Sequence, residues 1–171
     1  MSEINHEVLI QFTSKGLTIN EGIAIDARLV QSASHPLSTE KLEEAKAKSE
    51  TLQGKVDKNG KPLKCSRDLE SDWVMKNNVA HFGLKEHASV DIKQGFVLST
   101  VMTAASHNDS PYLPLCVAGS CHTKEPIKKV YADKGYFGKP NRDFLALNKI
   151  ADGIMRKATT GAELTERPLH N

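Results

Sequence analysis

Two aspartates, each at the end of a short apolar run, are the residues best suited to chemistry. Ile23-Ala24-Ile25 is followed by Asp26, and the run from Ile127 to Ala132 is followed by Asp133. Such runs are typical of buried strands, and two strands of one sheet can bring their ends together. Mg²⁺ and Mn²⁺ prefer oxygen ligands, and carboxylates that hold a pair of these ions can promote phosphodiester cleavage. An aspartate at a strand end is, however, more often a cap or turn residue.

The elements that must position these aspartates predict an α/β fold with a mixed sheet. The predicted elements are, in order, a helix over 7–14, a strand within 17–30, an antiparallel hairpin of strands 81–91 and 96–103, a helix over 111–118, a strand over 127–133, a helix over 141–148 and a strand over 150–156. The hairpin is inferred from the glycine-containing turn at 92–95.

Length and composition predict one domain over residues 1–171, since 171 residues with 39% hydrophobic side chains can bury one sizeable core. Residues 35–72 are rich in Lys, Glu, Ser and Gly, which predicts a mobile polar connection with one exposed helix. No run is long and apolar enough to span a membrane, and the N-terminus lacks the pattern of a signal peptide. We therefore expect a cytoplasmic protein without a membrane partner, whose three cysteines are reduced.

The charge is unevenly distributed along the chain. The segment from Cys121 to Asn171 carries ten Lys and Arg against six Asp and Glu, although the net charge of the whole chain is only +2. A basic segment of this kind can face the phosphates of a nucleic acid. Ordinary lysines on a solvated surface would give the same composition.

Two blocks around the aspartates resemble the DDE transposases of bacterial insertion sequences. Gly22-Ile23-Ala24-Ile25-Asp26-Ala27 is similar to the first catalytic strand of that family, with Arg28 where the family commonly has Thr. The heptapeptide Val130-Tyr131-Ala132-Asp133-Lys134-Gly135-Tyr136 resembles the second catalytic strand, and its Ala-Asp-Lys-Gly-Tyr signature is the most specific feature of the sequence. The resemblance covers nearly the whole chain.

Three further blocks agree with this resemblance: 81–91, 103–110 and 152–157. Alternation along the predicted strand places His81, Lys85 and His87 on one face, where they are candidates for contact with the DNA backbone. Basic side chains beside the second catalytic strand and at the end of the chain's last predicted strand are further DNA-binding candidates: Lys134, Arg156 and Lys157.

The resemblance implies an RNase H-like mixed sheet flanked by helices, with Asp26 and Asp133 as catalytic, metal-binding members of an Asp-Asp-Glu triad. It implies Mg²⁺ or Mn²⁺ as the cofactor and DNA, both insertion-sequence ends and target DNA, as the substrate. It also implies nicking of DNA followed by joining of the freed 3′-hydroxyl to the target. A second copy of the chain or a full-length transposase is the expected protein partner, and a nucleoid-associated location in the cytoplasm follows.

The third carboxylate of the triad is expected on a helix beyond the last strand. Neither Glu163 nor Glu166 stands in the Val-Glu-Arg or Val-Glu-Gln setting that the resemblance calls for, and Pro168 would interrupt a helix there. We therefore expect a fragment truncated at both ends, with a fold incomplete at its C-terminus and little activity alone. The alternatives left open are an active strand-transfer nuclease, a non-catalytic DNA-binding or interfering remnant, and another RNase H-like nuclease such as a resolvase.

Overall fold

The computed structural model describes residues 2–16, 21–63, 68–121 and 126–157. The helices among these residues are α1 (Ser2–Ser14), α2 (Thr39–Leu52), α3 (Leu113–Gly119) and α4 (Lys139–Leu147). The strands are β1 (Ile23–Gln31), β2 (Asp72–Lys76), β3 (Val79–Asp91), β4 (Val97–Ala104), β5 (Lys129–Ala132) and β6 (Ala151–Ile154). Short 3-10 turns cover Ser110–Tyr112 and Lys134–Tyr136.

The six strands form one mixed sheet. Their order is β2-β3-β1-β5-β6, and β4 also pairs with β3. The pairs β1–β5 and β5–β6 are parallel, whereas β2–β3 is antiparallel. The predicted mixed α/β sheet flanked by helices is thus confirmed, and it is consistent with an RNase H-like domain. The predicted C-terminal incompleteness concerns residues 158–171, which lie outside the described residues.

The chain separates into two compact units. The core unit consists of Met1–Ala27, His87–Val101 and Asn108–Asn171, and the hairpin unit consists of Arg28–Glu86 and Met102–His107. None of the described helices is long and apolar enough to span a membrane.

The core unit contains the hydrophobic core. Strand β1 contributes Ile23 and Ile25, β5 contributes Val130, and α4 contributes Leu145, all at most 2% exposed. In β1 and β5 the apolar side chains that the sequence placed on buried strands are therefore buried, as period-2 alternation requires of a strand with one covered face. Leu9 anchors α1 in the same core.

The turn between β3 and β4 confirms the predicted hairpin. Asp91 accepts hydrogen bonds at its side chain from the backbone N–H groups of Lys93 and Gln94, and its own N–H donates to the carbonyl of Phe96. Gly95 has φ +75°, a left-handed conformation that costs glycine little. Asp91 is therefore the turn residue that the sequence predicted.

Within the hairpin unit, part of the segment predicted as a mobile connection is regular. Helix α2 covers Thr39–Leu52 and buries none of its residues, as expected for an exposed helix. Strand β2, which the sequence analysis did not predict, is joined to β3 by Asn77 and Asn78, both at positive φ. Two left-handed residues are what a two-residue type I′ turn requires, and asparagine tolerates that conformation better than most residues.

Most other predicted elements exist with shifted ends. Helix α1 begins five residues earlier than predicted, at Ser2, and α4 begins at Lys139 with Pro140 in its first turn, a position where proline is favourable. The helix predicted over 111–118 is divided into the 3-10 turn at Ser110–Tyr112 and α3. Residues 17–20 of the first predicted strand lie outside the described residues.

Candidate active site

Asp26 and Asp133 occupy equivalent positions on two neighbouring parallel strands of the core unit. Ile25 of β1 is in register with Ala132 of β5, and each aspartate is the next residue along the chain. Adjacent strands lie about 4.8 Å apart, so the two backbones run side by side here. Ile25 and Ala132 are buried, whereas both aspartates are exposed. The register therefore brings the two carboxyl groups next to each other. Asp133 follows the end of β5 as predicted, whereas Asp26 lies inside β1, which continues to Gln31.

The turn after β5 fixes the side chain of Asp133. Its Oδ1 atom accepts a hydrogen bond of 2.8 Å from the N–H of Gly135, in the 3-10 turn that follows. A Cβ atom on Gly135 would lie 2.9 Å from Asp133 Oδ1 and 3.3 Å from Asp109 Oδ2. Real Cβ atoms essentially never come as close as the first of these distances, so glycine is required here if the carboxylate is to keep its position.

The same glycine reveals a third acidic residue near the pair. The carboxylates of Asp109 and Asp133 both lie close to the position that a Cβ atom on Gly135 would take. The sequence analysis regarded Asp109 as a turn residue and left it out of the site. Its position in the 103–110 block, which resembles the family, was the only signal in the sequence that could have drawn attention to it.

A buried tyrosine lies near these carboxylates. Tyr136 is fully buried, and its hydroxyl lies 3.0 Å from Nδ1 of His87. Burial is the main cause that raises the pKa of this phenol far above its usual value, and the charge of Asp109 adds to it, followed by Cys116 and then Asp26 and Asp133. The hydroxyl therefore remains protonated, within electrostatic range of three carboxylates.

Asn141 connects the turn after Asp133 to the turn after Asp109. Its side chain is buried, and its Nδ2 atom lies 2.8 Å from the carbonyl oxygen of Tyr136 and 2.9 Å from that of Ser110. Each N–H of the amide thus satisfies a carbonyl of one turn. No pattern in the sequence indicated this role, since an asparagine at the start of a helix is usually interpreted as a cap.

The oxygen ligands offered by the two aspartates fit a hard divalent cation. Mg²⁺ binds oxygen ligands, and in proteins it is typically held by one or two carboxylates while several waters remain on the ion. Asp26 and Asp133 offer such a set. In the described ranges there is no group of three or more His, Cys, Asp or Glu side chains arranged to hold a metal ion.

Three of the predicted DNA-binding residues are exposed and follow β5 or the neighbouring strand β6. Lys134 directly follows Asp133. Strand β6 is parallel to β5 with Ile154 in register with Ala132, and the pairing extends to the N–H of Met155, which donates to the Ala132 carbonyl. Arg156 and Lys157 follow directly and are exposed. Arg156 and Lys157 thus extend beyond β6, the strand next to β5, and Lys134 extends beyond β5 itself.

The other three predicted DNA-binding residues lie along β3 and differ in their exposure. His81 and Lys85 belong to the hairpin unit and are half-buried, and Lys85 Nζ donates to the carbonyl of His107 at 2.6 Å. His87 belongs to the core unit and is fully buried, with its ring stacked on Tyr112. His87 therefore presents no surface to a DNA strand. Alternation along a strand predicts which side chains share a face, but it does not say whether the core covers that face.

The cysteines near the site match the interpretation as thiols. Cys116 is buried in α3, and burial raises its pKa to about 11, which makes it an unreactive core residue. Cys121 is exposed, and both are free. Cys65 lies outside the described residues.

Comparison with known proteins agrees with this geometry. Residues 19–167 match the family model described as the transposase DDE domain. The chain is also 31% identical over 168 residues to the transposase for insertion sequence element IS1106 of Neisseria meningitidis serogroup B, an alignment that covers 97% of this chain and 53% of that protein. The chain thus spans about half the length of this relative. With the match to the family model extending over most of its residues, the chain belongs to the transposase DDE domain family.

Proposed function

We propose that this chain is the catalytic-domain portion of a DNA transposase, with Asp26 and Asp133 as its metal-binding carboxylates. The observation that supports the proposal best is the parallel register of Ile25 with Ala132, since Asp26 and Asp133 are the next residues along the chain and are both exposed. Family membership supports it, since the two aspartates stand in the two blocks that resemble the catalytic strands.

Each residue of the site has a defined task in this proposal. Bound divalent ions, Mg²⁺ or Mn²⁺, would activate the attacking water or 3′-hydroxyl and stabilise the leaving oxygen. Asp26 and Asp133 would hold these ions, and the Gly135 N–H keeps the Asp133 carboxylate in place. Lys134, Arg156 and Lys157 bind phosphates of the DNA strand and so position the scissile bond. His81 and Lys85, which are half-buried, are candidates for weaker contacts with the DNA backbone.

The proposed partners follow from the same assignment. DNA is the substrate, both as element ends and as target, and the protein acts where chromosomal DNA is, at the nucleoid. A second copy of the chain or a full-length transposase is the proposed protein partner. If a third carboxylate is needed for full activity, such a partner is one source of it.

The proposal is tested by two measurements on the same purified chain. Mn²⁺ binding is followed by the loss of the free-ion signal in electron paramagnetic resonance, and nicking is followed on labelled supercoiled DNA with Mn²⁺. We expect Asp133→Asn and Asp26→Asn each to weaken Mn²⁺ binding and to abolish any nicking that the wild-type chain shows, because each removes a ligand charge at the reacting centre.

Asp143→Asn is the matched control. Asp143 is an exposed aspartate of the core unit paired with Lys139 on α4, and the loss of such a surface pair has little effect. Mn²⁺ binding that is the same in all four proteins would refute the assignment of Asp26 and Asp133. Metal and DNA binding without nicking would instead support the non-catalytic, interfering role.

A further inference from the structure

Strand β2 in the hairpin unit has a free edge among the described residues, where it pairs only with β3. All of its residues except Val74 are exposed, including two large apolar side chains: Trp73 is 51% and Met75 is 66% exposed. An exposed strand edge with apolar side chains readily pairs with another strand. The edge of β2 is therefore a candidate interaction surface.

The hydrogen-bonding phase of the hairpin determines which backbone groups this edge presents. Trp73 is in register with Phe82, and the carbonyl of Phe82 accepts a hydrogen bond from the N–H of Ser32, on the opposite side of β3 from β2. Since each residue of a strand directs its N–H and C=O to one side, Trp73 forms a non-hydrogen-bonded pair with Phe82. The N–H and C=O groups of Trp73 and, two residues on, of Met75 thus face away from β3.

The side-chain sequence of β2 is complementary to itself in the antiparallel direction. The strand reads Asp72-Trp73-Val74-Met75-Lys76, with an acid at its start and a base at its end. If two copies pair antiparallel with their Val74 residues opposite each other, Asp72 of each copy faces Lys76 of the other. Opposite charges directly across a strand pair are stabilising, whereas a shift of register would lose both pairs.

The backbone groups agree with the same register. It places Trp73 opposite Met75 of the second copy, and both have outward-facing N–H and C=O groups, so each pair exchanges two hydrogen bonds. In the single chain, the N–H of Trp73 donates a hydrogen bond of 2.7 Å to Asp72 Oδ1. On pairing, that N–H would bond the other strand. Asp72 Oδ1 would then be available to the facing lysine, while Oδ2 keeps its hydrogen bond from Ser106.

We propose that β2 is a self-association edge, through which two copies of this chain pair antiparallel about Val74. On one face of the joined strands, the two Trp73 and two Met75 side chains form an apolar cluster, with Phe82 packed beside each Trp73 at 5.3 Å between ring centroids. Thioether–aromatic contacts of this kind are favourable. The interface involves one short strand from each copy, so the dimer is weak, with a dissociation constant of about 10 to 100 µM. The proposal does not depend on the metal site.

Analytical ultracentrifugation of the whole chain over a range of concentrations tests it. We expect a reversible monomer–dimer equilibrium for the wild type and a dissociation constant at least about tenfold larger for Met75→Lys, which puts a cation on each side of the symmetric edge. Met155→Lys is the control, because it is the same change at a methionine of similar exposure, 62%, in the core unit. It should leave the equilibrium unchanged.

A charge-exchange experiment tests the register itself. Asp72→Lys gives a strand with two cations and Lys76→Asp a strand with two anions, so we expect each variant alone to be monomeric and an equimolar mixture to associate. Asp72→Lys also loses the 2.7 Å hydrogen bond from Ser106, so circular dichroism must first show that it is folded; if it is not, the Met75→Lys result decides. A wild type that stays monomeric at millimolar concentration, or a Met75→Lys variant that associates like the wild type, would overturn the proposal.

Discussion

The core unit and the hairpin unit of this chain differ in whether their apolar residues form a buried cluster. All members of the buried hydrophobic cluster come from the core unit, including Leu9, Ile25 and Tyr136. In the hairpin unit, Trp73, Met75 and Val79 are each more than half exposed, and α2 buries none of its residues. The candidate carboxylates lie on the well-packed unit, and the candidate association edge lies on the other. The buried cluster that supports the candidate carboxylates thus belongs to the core unit, although that unit also exposes several large apolar side chains.

The largest effect expected from this contrast is on stability. Tyr136→Ala removes a fully buried ring and its hydrogen bond to His87, and we expect it to lower the free energy of unfolding by about 3 to 5 kcal/mol. Trp73→Ala removes a larger side chain from the hairpin unit but should cost under about 1.5 kcal/mol, because half of its surface is already in water. Urea denaturation followed by circular dichroism measures both. Equal losses of unfolding free energy in the two variants would contradict this contrast between the units.

A smaller effect is expected where the core unit supports the site. Gly135→Ala would force the Asp133 carboxylate to move, because the new Cβ would lie 2.9 Å from its Oδ1. We expect Mn²⁺ affinity to fall about tenfold, the change expected when the surroundings of a metal ligand are disturbed. Gly138→Ala is the control, since its Cβ would be in ordinary contact, 3.6 Å from Pro140. Comparable Mn²⁺ affinities in the two variants would contradict the steric role of Gly135.

The smallest effect concerns acid stability of the hairpin unit. Burial alone would raise the pKa of Asp68, but hydrogen bonds from Ser32, Ser71 and the backbone outweigh it and lower the pKa from 3.8 to about 2. Because the folded-state pKa lies below the unfolded value, the ionised carboxylate stabilises the fold above about pH 4, and this contribution disappears as the pH falls towards 2.

The chain's single tryptophan, Trp73, allows this to be measured locally. Its fluorescence should change between about pH 4 and pH 2, and this transition should be reduced in Asp68→Asn, in which the titrating group is gone. A tryptophan signal with the same acid transition in both proteins would show that Asp68 is not responsible.

The sequence predicted the parts of the fold that depend on burial. The apolar runs before Asp26 and Asp133 indicated buried strands, and these two residues are adjacent because β1 and β5 pair in parallel with Ile25 opposite Ala132. Strand β2 is stabilised by its pairing with β3 and, in the described part of the chain, has no covered face. Its sequence, Asp72-Trp73-Val74-Met75-Lys76, therefore shows no alternation of apolar and polar residues, and the sequence analysis missed it.

Tertiary contacts determined what the sequence could not show. Alternation grouped His81, Lys85 and His87 on one face of β3, but only the packing of Tyr136 and Tyr112 around His87 shows that this end of the strand is buried. Asp109 looked like a turn residue, and its approach to Gly135 depends on a side-chain bond from Asn141 to Ser110 between two distant segments. Contacts of this kind leave no periodic pattern in a sequence.

The strand pairings differ in the sequence separation of their partners, and this affects the order in which they form. The β2–β3 hairpin is closed by two residues, Asn77 and Asn78, and such local elements form in about 1 to 10 µs. The β1–β5 pairing joins Ile25 to Ala132, across most of the chain, and long-range pairings of this kind form slowly because a large loop must close first. The association edge therefore exists early during folding, while the two carboxylates meet only when β5 docks on β1, so unfinished chains can encounter one another before they have a site.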